Sequence, residues 1–188
     1  MKKLLSSAML FLFATTCIYA QKQTPTAPPS LPVDSITHKI TYEAVVDVKD
    51  AKADLLYKRA LAWFNSHYPN PKEAIRENDS LKFKIVGKPR FKIYNPADKS
   101  GLKTDAGLVQ YTITVVCKEG RYRYEITDFN WKQNSYYAAE KWMDTKDQLY
   151  VLSMADYLTQ LDTYTKDLVK TLRDAMSKDK PVKDRDNW

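Results

Sequence analysis

YTITVVCKEGRYRYEITDFNW (residues 111–131) sets a glycine between two runs in which apolar and polar residues alternate. Alternation of period two marks a strand with one buried face. The position of the turn then decides which side chains are buried. A three-residue loop opposes Cys117 to Arg121, Val115 to Arg123 and Ile113 to Glu125, setting charge against apolar side chains. A two-residue turn at Glu119 and Gly120 opposes Cys117 to Tyr122, Val115 to Tyr124 and Ile113 to Ile126. Only the second gathers the apolar residues on one face, and the buried face sets the register of a hairpin. Gly120 supplies the positive φ that such a turn requires, although Glu is a less usual partner there than Asn or Asp. Tyr122 and Tyr124 are therefore expected inside. Arg121 and Arg123 are expected outside with Thr114, Val116 and Glu125, so the Arg-Tyr alternation needs no ligand to account for it.

Working outward, residues 40–48 alternate in the same way, and Asp50 is placed to cap a helix reaching about His67. Leu56, Ala60, Trp63 and Phe64 have helical spacing, and the prolines at 69 and 71 stop the helix. A short strand over 74–77 and a turn at 78–80 lead into LKFKIVGKPRFKIY (residues 81–94). Its odd positions are Leu81, Phe83, Ile85, Phe91 and Ile93; its even positions include Lys82, Lys84, Lys88, Arg90 and Lys92. Gly87 and Pro89 bend such a strand or place it at an edge. After Trp131 the pattern predicts a short helix over 136–143 capped by Ser135. A longer helix from Asp147 to about Met176 follows, with a stripe of Met154, Leu158, Leu161, Leu168 and Leu172 and an alternative break near Leu161.

The chain has 188 residues. Lys2 and Lys3, an apolar run and a small residue at Ala20 predict a secretory signal peptide over 1–20, and export to the periplasm or cell envelope. Cys17 is the alternative lipoprotein anchor, but Ala14 and Thr16 fit that pattern poorly. The Pro-rich residues 21–35 read as a linker, 36–177 as one domain, and 178–188 as a charged, disordered tail. Losing Lys2 and Lys3 lowers the 30 basic residues to 28, which against 23 acids leaves +5. Cys117 is then the one remaining cysteine, so no internal disulfide forms. No transmembrane segment is expected in the mature chain.

DLLYKRALAWF (54–64), IVGKPRFKI (85–93), CKEGRYRYEITDF (117–129) and LVKTLRDAM (168–176) resemble an exported bacterial family called a domain of unknown function with a fold like the TATA-box-binding protein (TBP). The resemblance implies an α+β fold of order β-α-β(4)-α: a curved antiparallel sheet with two main helices packed on one face. It implies no activity and no catalytic residues.

The chemistry in the residues agrees with that silence. Nucleophile-elbow, phosphate-loop and zinc-protease patterns are absent. His38 and His67 lack the spacing of a zinc site, so no metal and no cofactor are expected. Cys117 is expected to be a core thiol, and Glu43, Asp47 and Glu125 to be surface carboxylates rather than the acids of an enzyme. Residues 81–94 hold five basic side chains and no acid. Lys82, Lys84, Lys88, Arg90 and Lys92, joined by Arg121 and Arg123, form the candidate anion-binding row, with an anionic envelope component or acidic protein as partner. Edge protection by lysine is the plainer explanation of the same pattern. Nucleic acid is not expected, because the outer face lacks aromatic wedges. Tyr136, Tyr137 and Trp142 are candidate contact aromatics. The alternative function is binding of a small apolar ligand between helix and sheet, lined by Tyr42, Trp63, Tyr122 and Tyr124; a less favoured one is an enzyme using carboxylates, which requires a cleft with two or three converging acids.

Overall fold

The computed structural model describes residues 29–133 and 135–177. The segments expected to be a signal peptide (1–20) and a charged tail (178–188), and the first part of the expected linker (21–28), lie outside the described residues. In chain order the elements are β1 (Tyr42–Asp47), α1 (Ala53–His67), α2 (Pro71–Ala74), β2 (Ile75–Asp79), β3 (Lys84–Gly87), β4 (Arg90–Tyr94), β5 (Asp105–Lys118), β6 (Arg121–Lys132), β7 (Tyr136–Ala138), a 3-10 turn (Ala139–Met143) and α3 (Ser153–Ser177).

The hairpin of β5 and β6 is the spine of one antiparallel sheet ordered β1-β6-β5-β3-β2. Its register is the two-residue-turn register: Cys117 faces Tyr122, Val115 faces Tyr124 and Ile113 faces Ile126. All six side chains are buried. Gly120 has φ +69°, as the turn requires. Glu119 has a use that a two-residue turn alone does not explain. Its carboxylate accepts a hydrogen bond from the Ala53 N–H at the start of α1, 3.3 Å away, where a negative charge suits the helix dipole. Asp50, expected to cap that helix, instead sits in a turn at φ +61°, and the N-cap Lys52 makes no side-chain cap. The hairpin tip therefore does from a distance what a local cap was expected to do.

Farther along the hairpin one strand gains a residue. Thr112 pairs with Thr127 and Gln110 with Asn130, so Asp128 and Phe129 together oppose Tyr111. Asp128 takes φ +56° at this bulge. The bulge shifts the parity of β6, so that Phe129 is buried after Tyr122, Tyr124 and Ile126. Beyond the reach of β1, β7 pairs with β6 over 130–132. That unfilled edge turns residues 136–138 into a strand, where a helix was expected.

α1 and α3 cover the inner face, with Leu56, Ala60, Phe64, Leu158, Leu161 and Leu172 fully buried. Gly87 lies under α1: a Cβ there would meet Phe64 at 2.9 Å and Ile113 at 3.1 Å, so the helix sits close because this strand position has no side chain. α3 is unbroken through Leu161, whose carbonyl accepts from the Thr165 hydroxyl. It starts at Ser153 rather than Asp147. The Asp144 and Asp147 carboxylates take the Lys146 and Leu149 N–H groups into local turns that compete with the helix. Gln160 of α3 bonds both the N–H and the carbonyl of Tyr94, at 2.9 and 2.8 Å, and so covers the free edge of β4. Structure also begins before Ile36, where the domain was expected to start: Leu31 is buried, and Val33 bridges to Ile40.

Candidate functional site

Both long helices pack on the inner face, which leaves the outer face to the polar side chains of the strands. The parity read from residues 81–94 holds from Lys84 onward. Ile85, Phe91 and Ile93 are buried, and Arg90 and Lys92 are exposed. Before that, Phe83 still packs against Tyr57, at 5.9 Å, but the pattern fails at Leu81 and Lys82. Asp79 accepts from the N–H groups of Leu81 and Lys82, both at 3.0 Å, and bends them into a turn. Leu81 is 92% exposed, and Lys82 leaves the row to pair with Asp79 at 3.4 Å. The Lys82 N–H, acting first among several donors, holds the Asp79 carboxyl below its ordinary range.

The row is also broken by neutralisation. Lys84 pairs with Glu77 at 3.0 Å and Lys92 with Asp105 at 3.1 Å. Arg123 bonds Glu43 and Glu125, each at 2.6 Å. Those two carboxylates oppose each other across β1 and β6, so the guanidinium relieves a like-charge pair. Lys88, Arg90 and Arg121 keep no ion pair among the described residues. They fall in two places. Arg90 is level with Gln110 and Arg121 with Lys118, eight residues apart on β5, or about 27 Å. The single stripe expected from the sequence is therefore two separate basic spots.

The first spot borders a cavity of about 210 Å³ between the end of α1 and the start of β4. Lys88 and Arg90 line it together with Arg76, Glu73, Asn70 and Tyr68. β2 carries Arg76 there. Ile75 pairs with Gly87 but Glu77 pairs with Val86, so Arg76 is the extra, unpaired residue of a bulge. The Lys88 N–H donates to the Ala74 carbonyl at 2.7 Å and fixes the strand exit against α2. Arg76 was missed in the sequence because its neighbours there, Ile75 and Glu77, give no hint that β2 lies beside β3. The second spot is a groove of about 360 Å³ at the hairpin end, floored by Val45 and Val116 and rimmed by Lys118, Arg121 and Arg123.

The other candidates divide. Trp142, expected as a contact aromatic, is fully buried: it packs edge-on against Trp131 and Tyr157, at 5.7 and 5.5 Å. Tyr137 is half-buried under Lys141, whose ammonium lies 5.0 Å from the ring centre, and Tyr136 is exposed. Cys117 is buried, and burial pushes its thiol up to about 12, far from a nucleophile's range. His67 stacks on Trp63 at 4.8 Å, and burial lowers its pKa. Among the described residues no three His, Cys, Asp or Glu side chains gather as metal ligands would. Of Tyr42, Trp63, Tyr122 and Tyr124, only Tyr122 borders either cavity. Tyr42 donates to Asp162 at 2.8 Å, Trp63 to Thr171 at 3.2 Å, and the Tyr124 hydroxyl accepts from Arg173 at 3.3 Å.

Residues 42–132 match the family described as "Domain of unknown function (DUF4468) with TBP-like fold". A DUF4468 family protein from Bacteroides ovatus has a similar structure, with a TM-score of 0.61 and 20% identity, over 83% of this chain and 95% of that one. A TBP-like protein from Parabacteroides distasonis gives a TM-score of 0.59 and 16% identity, over 73% and 92%. At such identity the likeness is one of fold. No curated protein matches the chain.

Proposed function

Residues 42–132 are a DUF4468 domain with a TBP-like fold, and on that premise we propose that the protein is an exported, non-enzymatic binding or scaffold module of the cell envelope. Its outer sheet face meets an anionic partner. The observation that supports this reading is a set of exposed cations with no ion pair among the described residues: Lys88 and Arg90 beside the cavity at the sheet edge and Arg121 at the hairpin end, while their neighbours Lys84, Lys92 and Arg123 are neutralised. A solvated cation on a sheet attracts anions over roughly a Debye length, about 8 Å at physiological salt. Guarding an edge strand against aggregation would account for Lys92 on β4. It does not account for Arg121, which lies on β6 between β1 and β5.

The test is retention of the chain lacking residues 1–20 on immobilised heparin, a probe anionic polysaccharide. Retention is expected at low salt and release as salt rises. The triple variant Lys88→Ser, Arg90→Ser, Arg121→Ser should elute at the void volume. Lys84→Ser with Lys92→Ser and Lys39→Ser removes the same net charge from paired positions and should stay bound. Equal loss in both triple variants would reduce the effect to net charge and remove the proposal.

A further inference from the structure

The cavity beside β4 carries more than a positive potential, and the ligand assigned to it rests on the basic-face reading of the sheet. Three cations, Arg76, Lys88 and Arg90, share its wall, and none has an ion pair among the described residues. Glu73 is the one carboxylate in the lining, so the formal charge of the wall is three minus one, or +2. That balance suits a dianion better than a monoanion. Guanidinium groups meet phosphate oxygens in a fixed two-point geometry, which a lysine alone cannot supply.

Glu73 and Asn70 do not suit a bare anion. A carboxylate repels phosphate but accepts hydrogen bonds from hydroxyl groups, and the Asn70 amide both donates and accepts. The remaining wall is apolar: Ala74, Pro69, Pro89 and the Tyr68 side. A volume of about 210 Å³ is below the roughly 300–1,000 Å³ of sites for drug-sized ligands, so it admits one ring rather than an extended molecule. A compact ring with hydroxyls on one side, a carbon face and a phosphoryl group matches all three parts of the wall. We propose that this cavity binds a sugar phosphate, a phosphomonoester on a single saccharide unit, with Arg76, Lys88 and Arg90 on the phosphoryl group and Glu73 and Asn70 on the hydroxyls.

The experiment is a titration by isothermal calorimetry at low salt with three probes: glucose 6-phosphate, inorganic phosphate and glucose. Glucose 6-phosphate should bind at least about tenfold more tightly than inorganic phosphate, and glucose should not bind measurably. Arg76→Gln should weaken glucose 6-phosphate about tenfold. Glu73→Gln should bring it down to the level of inorganic phosphate, without weakening phosphate itself. Thermal melts of both variants, unchanged from the parent, show that the fold is intact. Equal binding of phosphate and glucose 6-phosphate, no binding of either, or indifference to Arg76→Gln would each overturn the proposal. Retention on phosphorylated mannan that glucose 6-phosphate reverses supports it with a polymer-borne ligand. Glucose 6-phosphate binding without such retention supports it with a free one. If the calorimetry fails while heparin retention still depends on Lys88, Arg90 and Arg121, this inference falls and the basic-face reading stands.

Discussion

Phe64→Ala is expected to cost about 3–5 kcal/mol of folding free energy, the range for truncating a fully buried aromatic. The upper part of that range is the expected one here, for a specific reason. The cost of a cavity depends on how well its walls can relax into it. Beneath Phe64 the wall is Gly87, where even a Cβ would lie only 2.9 Å from the ring. A glycine has no side chain with which to fill the gap. The sides are held by Trp63 and Tyr68, which contact the ring at centroid distances of 5.1 and 5.7 Å. Trp63 is in turn tied to α3 through Thr171. Urea denaturation should show the midpoint falling with little change in slope. A loss under about 1.5 kcal/mol, the range of well-tolerated core swaps, would mean that α1 does not rest on Gly87 as described.

Tyr111→Phe should cost about 2–4 kcal/mol although it removes a single oxygen. The Tyr111 hydroxyl is the middle of a chain, 3.0 Å from that of Tyr68 and 2.9 Å from that of Tyr164. Removing it breaks two hydrogen bonds and strands a partner at each end, and the stranded groups outweigh the lost bonds. Tyr122→Phe is the comparison. Tyr122 is as deeply buried, but its hydroxyl has no partner among the described residues, so its loss should leave stability unchanged or raise it by about 1 kcal/mol. The two variants differ in wiring and not in size. Burial raises the Tyr111, Tyr68 and Tyr164 pKa values above the ordinary tyrosine range. Their contribution is therefore whole below about pH 10 and falls as pH rises, because the unfolded chain loses its protons first. Tyr111→Phe should flatten that alkaline decline.

Much of the fold was legible because one local choice had a global consequence. Two turn lengths were open at Glu119 and Gly120, and only one buried Ile113, Val115, Cys117, Tyr122, Tyr124 and Ile126 together. The basic row was less legible. Alternation from Leu81 to Ile93 looked continuous, yet the Asp79 side chain captures two backbone N–H groups and takes Leu81 and Lys82 out of the strand. Which lysines are neutralised depends on neighbours far away in sequence. Arg123 meets Glu43 across 80 residues, and Lys92 meets Asp105 through the pairing of β4 with β5. Arg76 was invisible for the same reason: its place in the cavity follows from the pairing of β2 with β3. The short helix expected over 136–143 forms only over Ala139–Met143, as a 3-10 turn, because an open sheet edge takes residues 136–138 into a strand, and two aspartate turns delay the last helix from Asp147 to Ser153.

Anion binding by the unpaired cations of the sheet, at the cavity beside β4 and at the hairpin end, is the central claim. A map of backbone amide shifts by ¹H–¹⁵N NMR, recorded as heparin is added at low salt, tests it directly. The largest shifts are expected at Arg76, Lys88, Arg90 and Arg121, with the exposed sides of α1 and α3 unmoved. Shifts centred instead on Lys58 and Lys170 of those helices would contradict it.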